Sequence, residues 1–426
     1  MLSRLRPIHV ALLIGLLAET LFLWGLTTPH ILVFDEVHYV PAARALMTLD
    51  APVNTEHPLV AKELIAAGMM LFGDNSFGWR FFSTIAGSAT AMGIFAITFL
   101  LFRRTRPAVM ASLYALLSFT LYIQARIAMI DGYLAAFTIL GLAALLWAMR
   151  APPGKAWPRL ILSGVLFGLA VATKWAAVPY LAGAGVGLLI VRWRDAVAAR
   201  KPLAAMLSGK DQPHWAGLPA IPAVLVLGAV AVVAYFVTFA PTFFYHAEPE
   251  TLGDLLPLQA RMWAEQTQVL PHHTYQSQWW SWPLIIRPIW YLYEHCDGAM
   301  RGILMLGNPA IMWGGLLAVA VCLWAGMRGD RKLLAVACLW LGSYLIWAVI
   351  PKSLGFYYYY YLPSLCLCIA LAAAFDRYAK GKWEHWDEGF AIFAFGLTVY
   401  FFPIISAAPL AGEMAYKHWM WFATWP

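Results

Sequence analysis

The chain of 426 residues is 62% hydrophobic and only 12% charged, with a formal net charge of +7. A soluble protein of this size carries about twice that charged fraction, so the composition excludes a soluble globular protein and indicates an integral membrane protein. The five cysteines predict neither a disulfide framework nor a metal site, because all but Cys296 lie in apolar stretches.

Apolar stretches long enough to cross a bilayer recur along the whole chain and predict eleven membrane-spanning helices. The first stretch follows Arg4 and Arg6. It is long for the apolar part of a signal peptide and no clear cleavage site follows, so we expect it to be retained. The predicted spans are 7–27, 81–102, 107–123, 130–149, 159–175, 177–192, 217–240, 302–327, 332–350, 359–375 and 389–405.

The distribution of Lys and Arg predicts the orientation, because both residues are enriched in cytoplasmic loops. With a cytoplasmic N-terminus, about two thirds of the 29 basic residues lie inside, and most of the 22 acidic residues lie outside. The net charge therefore reflects topology and does not indicate nucleic-acid binding. The segments 28–80 and 241–301 and the C-terminal tail are then external. We expect a catalytic module of residues 1–240 and a second transmembrane module of residues 241–426, each with one long external loop.

Two adjacent carboxylates, Asp35 and Glu36, directly follow the first span. Charges at a membrane surface are costly to desolvate, so their presence requires a reason. One reading is a general base beside a group that orients a substrate. The other is a helix cap at Asp35, with Pro41 in the first helical turn. The residues alone leave both readings open.

The rest of the first external loop contains His57 and Lys62 in a polar segment that begins at Glu56. His57 is either a proton carrier or a histidine that only stabilises the loop. The segments 40–47 and 59–72 are amphipathic or apolar and predict short interfacial helices.

Several cations lie on the predicted external side at membrane depth, where a positive charge requires a counter-charge. One candidate is an internal carboxylate, as Asp131 would be for Arg126; the other is a lipid phosphate. Singly, each cation is typical of an ion pair or a snorkelling side chain. Together with the carboxylate pair they predict a site that holds a lipid phosphate beside a general base. The set is Arg80 and Lys174, the strongest candidates, with Arg126, Arg287 and Lys352.

These motifs, in their order along the chain, resemble the protein O-mannosyltransferase family, the dolichyl-phosphate-mannose–protein mannosyltransferases, in its shorter bacterial form. No single motif is decisive, but the ordered set is specific. The matching segments are 34–38, 57–62, Arg80, 126–131, 173–175, 273–283, 306–309 and 359–363 within the tyrosine run.

The resemblance implies an all-α, polytopic membrane glycosyltransferase of the GT-C fold that transfers mannose with inversion from a polyprenyl-phosphate carrier to Ser or Thr of an unfolded or translocating protein. It implies that the acid pair of the family corresponds to Asp35 and Glu36, with Asp35 as the base, and that Arg80 is the loop arginine. Because adjacent side chains point in different directions, we expect Glu36 to hold the acceptor peptide and not to share a proton with Asp35. It also implies a bacterial inner membrane location and the secretion translocon as a partner, while the distribution of Lys and Arg predicts an external active site. The residues expected to contact the acceptor or to shape the loops are His57, Lys62, His273, Tyr275 and Trp282.

The sequence also departs from the family. Leu59 follows Pro58 where the family has a second proline, and a tyrosine near Tyr359 replaces a common histidine. The segment 241–301 is too short for the β-trefoil domain of eukaryotic members. No cofactor is predicted, although related GT-C enzymes sometimes use divalent ions.

Two alternatives stay open at this point. One is a GT-C transferase with a lipid acceptor such as lipid A; the tryptophan-proline and histidine-proline motifs favour the protein-directed family instead. The other is a transporter of lipid-linked sugars. A transporter requires polar residues along a path through the bilayer. In the predicted spans Glu19 is the carboxylate that lies deep in the bilayer, whereas the other candidate polar residues gather on the external side, which disfavours a transporter.

Overall fold

The computed structural model describes residues 5–152, 154–350 and 352–426. Within these ranges the chain is mostly helical. The helices are α1 (Pro7–Leu23), α2 (Glu36–Thr48), α3 (Val60–Phe72), α4 (Ser76–Phe102), α5 (Thr105–Leu116), α6 (Phe119–Gln124), α7 (Ile130–Met149), α8 (Ala156–Val171), α9 (Val178–Ala198), α10 (Ala220–Val237), α11 (Leu255–Thr267), α12 (Pro309–Met327), α13 (Arg331–Leu345), α14 (Tyr361–Tyr378) and α15 (Trp386–Ile405). Two strands, β1 (Ile289–Cys296) and β2 (Ala299–Met305), form an antiparallel hairpin.

The helical membrane architecture confirms the predicted fold class. Eight helical segments of the described chain are long and apolar enough to cross a bilayer, and α1 and α8 are shorter apolar helices. The predicted span 107–123 is divided into α5 and α6. The count of eleven spans therefore stays a prediction.

The break between α5 and α6 falls at Leu117 and Ser118, inside the packed protein. Asn308 donates its side-chain amide to the Leu117 carbonyl at 3.0 Å, and Thr120 is hydrogen-bonded to Ser364 at 3.0 Å. Irregular backbone is tolerated at membrane depth when the protein itself satisfies its polar groups. The break is therefore a stable part of the core beside α14.

Close helix packing depends on small residues in the spans. On α8, a Cβ added to Gly168 would lie 2.5 Å from the Ala231 carbonyl oxygen of α10. On α4, a Cβ added to Gly87 would lie 2.4 Å from the Ala125 Cβ. Helices in membranes associate through such close approach, because lipid provides no hydrophobic force between them. These contacts bring α8 close to α10, and α4 close to the residue that follows α6.

The first long loop, residues 24–75, contains α2 and α3, which confirms the two short helices predicted there. The second long loop, residues 238–308, contains α11 and also the hairpin, which was not predicted. The predicted start of a span at residue 302 is wrong, because α12 begins at Pro309 and residues 302–305 belong to β2. Ile303 to Leu306 are fully buried, so an apolar strand and an apolar helix could not be distinguished by hydropathy.

Candidate active site

Asp35 lies immediately before α2, and its carboxylate is half-buried. The side chain makes no capping bond to α2, and among the described residues no group donates a hydrogen bond to it. Burial raises the pKa of Asp35 to about 6, an effect that the nearby charge of Lys174 partly offsets. A carboxylate with this pKa is a suitable proton acceptor near neutral pH. The geometry therefore disfavours the helix-cap reading.

Phe34 fixes the backbone that presents Asp35. It has a positive φ of 51°, in the left-handed region that non-glycine residues rarely adopt. Its ring stacks on Tyr291 of β1, with centroids 4.3 Å apart, and meets Tyr358 edge-on at 5.7 Å. A strained residue next to a candidate catalytic group costs about 1 to 3 kcal/mol and persists only where packing enforces it. The hairpin supplies that packing.

Glu36 and Arg80 form a fully buried ion pair, with two contacts of 2.8 Å. The remaining guanidinium hydrogen bonds go to the backbone carbonyls of Leu26, Pro29 and Ile31. All five N–H groups of an arginine are thereby used, which leaves none for a phosphate. The prediction of Arg80 as a phosphate ligand is therefore wrong.

The carboxylate of Glu36 is equally occupied. Besides Arg80, it accepts hydrogen bonds of 2.8 Å from the backbone N–H groups of Val33 and Ala128. Its side chain is 0% exposed. Glu36 therefore does not face an acceptor peptide, contrary to prediction; it holds the turn before Asp35 against α4 and the segment before α7.

Asp131 is ion-paired, as predicted, but with a different cation. Its carboxylate accepts from the Lys174 ammonium at 2.9 and 3.0 Å. Arg126, the expected partner, instead donates to the Gly25 carbonyl at 2.7 Å and to the Tyr122 hydroxyl. Lys174 also lies 4.9 Å from the ring centroid of Tyr359, so cation–π attraction adds to the ion pair.

Lys174 and Lys352 are among the residues that line a cavity of about 560 Å³. Its wall is almost entirely apolar, with contributions from α8, α9, α10, α11 and the segment after α13. Burial and, to a smaller extent, the positive charge of Lys174 lower the pKa of Lys352 to about 8. An apolar cavity with two lysines in its wall suits a lipid that has an anionic headgroup. The lining residues include Val171, Trp175, Leu181, Val232, Tyr235, Phe236, Gln259, Trp263, Gln266, Trp347 and Tyr359.

Hydrogen bonds from Lys62 fix the backbone of the loop around His57. The buried Lys62 ammonium donates to the carbonyls of Asn54 and His57, the latter at 2.7 Å, and burial lowers its pKa to about 7. Burial, with the charges of Lys174, Lys62 and Lys352, holds the pKa of His57 well below its usual range. His57 is therefore neutral. Its buried Nδ1 has no hydrogen-bond partner in the described parts of the chain.

The remaining predicted site residues lie outside this cavity lining. Arg287 donates to the carbonyls of Thr274, Thr424 and Pro426 and so ties the second long loop to the C-terminus. Trp282 is 2% exposed and donates to Ser277 at 2.9 Å, so it supports the loop from within.

His273 and Tyr275 lie in the same loop. The His273 ring meets Phe356 edge-on at 5.2 Å, and the Arg287 guanidinium lies 5.1 Å from the Tyr275 ring centroid. In the described chain, no cluster of three His, Cys, Asp or Glu side chains could hold a metal ion. The roles of His273 and Tyr275 toward an acceptor stay predictions, and so does the expected absence of a cofactor.

Two protein-family models match this chain. The model described as dolichyl-phosphate-mannose-protein mannosyltransferase matches residues 56–209. The model described as the C-terminal four TMM region of protein-O-mannosyltransferase matches residues 251–425. Together they span the second part of the first long loop, most of the helices and the tail.

Similar curated proteins are the polyprenol-phosphate-mannose–protein mannosyltransferases of Mycobacterium tuberculosis and Mycolicibacterium smegmatis. Both are 26% identical to this chain. The M. tuberculosis alignment covers 100% of this chain and 93% of the relative, and the M. smegmatis alignment covers 92% and 87%.

Solved structures share the fold. The S. cerevisiae protein O-mannosyltransferase Pmt1–Pmt2 complex bound to the sugar donor superposes with a TM-score of 0.80 at 15% identity, over 99% of this chain and 93% of that chain. ArnT from Cupriavidus metallidurans bound to undecaprenyl phosphate superposes with a TM-score of 0.58 at 17% identity, over 91% and 63%. The fold is therefore that of the GT-C membrane glycosyltransferases.

Proposed function

We propose, since this chain belongs to the dolichyl-phosphate-mannose–protein mannosyltransferase family, that it transfers mannose from a polyprenyl-phosphate donor to Ser or Thr hydroxyls of proteins. The observation that carries this proposal is the apolar cavity whose wall includes Lys174 and Lys352, together with the carboxylate of Asp35, which accepts no hydrogen bond from the described residues and lies within the influence of the Lys174 charge. The relatives named polyprenol-phosphate-mannose–protein mannosyltransferases support the same donor and acceptor.

In this proposal the polyprenyl chain lies along α9, α10 and α11, and the donor phosphate lies at Lys174 and Lys352. The Lys352 ammonium already donates to a backbone carbonyl at 3.2 Å and retains two N–H groups. Positive charge beside the phosphate stabilises the negative charge that develops as the carrier leaves. These two lysines would thus act on the leaving group.

The acceptor hydroxyl attacks the anomeric carbon of mannose on the face opposite the phosphate. The new carbon–oxygen bond forms as the bond between the anomeric carbon and the phosphate oxygen breaks, with inversion at carbon. The hydroxyl proton passes to the carboxylate of Asp35, and polyprenyl phosphate leaves as the anion. A hydroxyl is a weak nucleophile at its own pKa, so a positioned base contributes about 10²- to 10⁴-fold.

The site would face the outside of a bacterial inner membrane. The excess of Lys and Arg in alternate loops supports a cytoplasmic N-terminus and an external active site. An external site meets proteins as they emerge from the secretion translocon, which is the proposed source of unfolded acceptors.

The test is transfer by the purified protein in lipid vesicles. Radiolabelled mannosyl phosphopolyprenol and a Ser/Thr-rich peptide should give a mannosylated peptide, identified by mass spectrometry. The same peptide with Ala at every Ser and Thr should give no product. Label that appears on a lipid, or transport of the donor without transfer, would refute the proposal.

A further inference from the structure

We propose that Gln266 is a positioning residue that couples the lipid chain of the donor to the loop containing Glu56 and His57. This inference rests on the proposed function, because it takes the polyprenyl chain to occupy the cavity. It adds a role for the non-reacting part of the donor, which would raise the rate of transfer as well as the affinity.

Gln266 lies in the last turn of α11 and bonds in two directions. Its side-chain Nε2 donates to the Glu56 carbonyl oxygen at 2.7 Å. Its backbone carbonyl accepts from the Lys352 ammonium at 3.2 Å. The same residue lines the cavity. It therefore contacts the cavity, the proposed phosphate-binding lysine and the loop beside Asp35.

Neighbouring contacts strengthen both connections. On one side, the Thr55 hydroxyl donates to the Glu265 carboxylate, with oxygens 3.0 and 3.1 Å apart. On the other side, the Ser353 hydroxyl donates to the Gln268 carbonyl at 3.0 Å. The end of α11 is thus a bracket between residues 54–57 and residues 352–353.

The loop beyond this bracket has little freedom of its own. Lys62 fixes the carbonyls of Asn54 and His57 on one side, and Gln266 fixes the Glu56 carbonyl on the other. The backbone is therefore held while the buried Nδ1 of the His57 ring has no partner in the described chain. A displacement of Gln266 would move the loop and change where this neutral imidazole meets the substrate.

A lipid chain in the cavity would set the position of α11. Gln259, Trp263 and Thr267 of α11 line the cavity with Gln266, so an occupying chain packs directly against the helix. Binding energy from a non-reacting part of a substrate can be used to orient the reacting groups. A donor with a short chain would leave α11 without this support and lose rate at saturation.

The experiment compares kcat for mannosyl phosphate on a long polyprenyl chain and on a farnesyl chain. Wild-type protein should give a higher kcat with the long chain. Gln266→Met keeps the length and volume of the side chain but removes the donor to Glu56. We expect it to lower kcat for the long-chain donor about tenfold, toward the short-chain value, and to leave the short-chain kcat nearly unchanged. Binding of polyprenyl phosphate should stay at the wild-type value.

The matched control is Arg261→Met, which removes an exposed contact of the same helix with Glu250. It should keep the wild-type ratio of the two kcat values. The inference is overturned if Gln266→Met also keeps that ratio, or lowers kcat equally for both donors as a purely structural lesion would. If wild-type protein transfers mannose from neither donor, the proposed function fails and this role fails with it. If wild-type protein transfers mannose but Gln266→Met has the wild-type ratio of long-chain to short-chain kcat, only the role of Gln266 is refuted.

Discussion

The ammonium of Lys174 lies 2.9 and 3.0 Å from the two carboxylate oxygens of Asp131, so its charge is balanced within the protein. Lys352, the other lysine of the cavity wall, has no carboxylate at ion-pair distance in residues 5–152, 154–350 or 352–426. The two lysines would therefore interact with a phosphate in different ways. Lys174 offers a fixed hydrogen-bond donor, and Lys352 offers net positive charge.

This difference makes Lys352→Met the sharper test of the donor site. A charged hydrogen bond contributes about 1.5 to 3 kcal/mol, so Kd for polyprenyl phosphate should rise by about 10- to 100-fold. The change can be measured by equilibrium binding in detergent. Lys332→Met, at an exposed lysine of α13, is the control and should bind normally. Normal binding by Lys352→Met would place the phosphate elsewhere.

Asp35→Asn tests the base. Asn keeps the size and polarity of the side chain but cannot accept the proton, so kcat should fall by about a hundredfold or more while donor binding and thermal stability are retained. Asp50→Asn alters an exposed carboxylate of the same loop and should leave kcat unchanged. Near-normal transfer by Asp35→Asn from a saturating donor would make Asp35 a structural residue.

The pH dependence of kcat/KM should be bell-shaped. Asp35 acts deprotonated, so activity should rise as pH increases through about 6. Lys352 acts protonated, so activity should fall as pH increases through about 8. Lys352→Arg should move the alkaline limb upward, because arginine stays protonated in this range. An alkaline limb that does not move would assign it to another group.

Arg80→Lys should destabilise the protein without a specific defect in donor affinity. Lysine cannot reproduce the five hydrogen bonds of the guanidinium, so the buried Glu36 carboxylate and three carbonyls lose partners. Lysine keeps the positive charge, so the pair is weakened and not removed, and each hydrogen bond lost from a charged group costs about 1.5 to 3 kcal/mol. A lower thermal midpoint in detergent with normal Kd for polyprenyl phosphate is expected. A raised Kd with an unchanged midpoint would restore Arg80 as a phosphate ligand.

The orientation is tested by labelling single cysteines. In a cysteine-free background, Lys210→Cys and Pro271→Cys should react with a membrane-impermeant reagent from opposite sides of sealed vesicles. Labelling of both from one side would contradict the positive-inside assignment.

Parts of the site could be predicted because their signals are local. Asp35 stands out as a carboxylate directly after an apolar span, and α2 and α3 follow from the periodicity of the first long loop. Lys174 and Lys352 stand out as cations at the ends of spans. Each inference needs only neighbouring residues.

The errors arise where partners are distant in sequence or are backbone atoms. Arg80 was expected to bind a lipid phosphate. It instead donates to backbone carbonyls, and the sequence does not indicate which carbonyls will surround an arginine. Asp131 is five residues from Arg126, yet the packing of α7 on α8 brings Lys174 to it across 43 positions. Tyr291 and Gln266 carried no signal, since the hairpin and the end of α11 meet the first loop only in the folded chain.

The Glu36–Arg80 pair also bears on how the chain enters the bilayer. Either charge alone is costly to place away from water, and the partners are 44 residues apart: Glu36 begins α2, and Arg80 follows α3 in α4. Arg80 lies in the second turn of α4, so this helix cannot settle at its final depth before Glu36 arrives. The helices α1 and α4 and the loop between them are therefore expected to leave the insertion machinery as one assembling unit, with the loop folded back during synthesis.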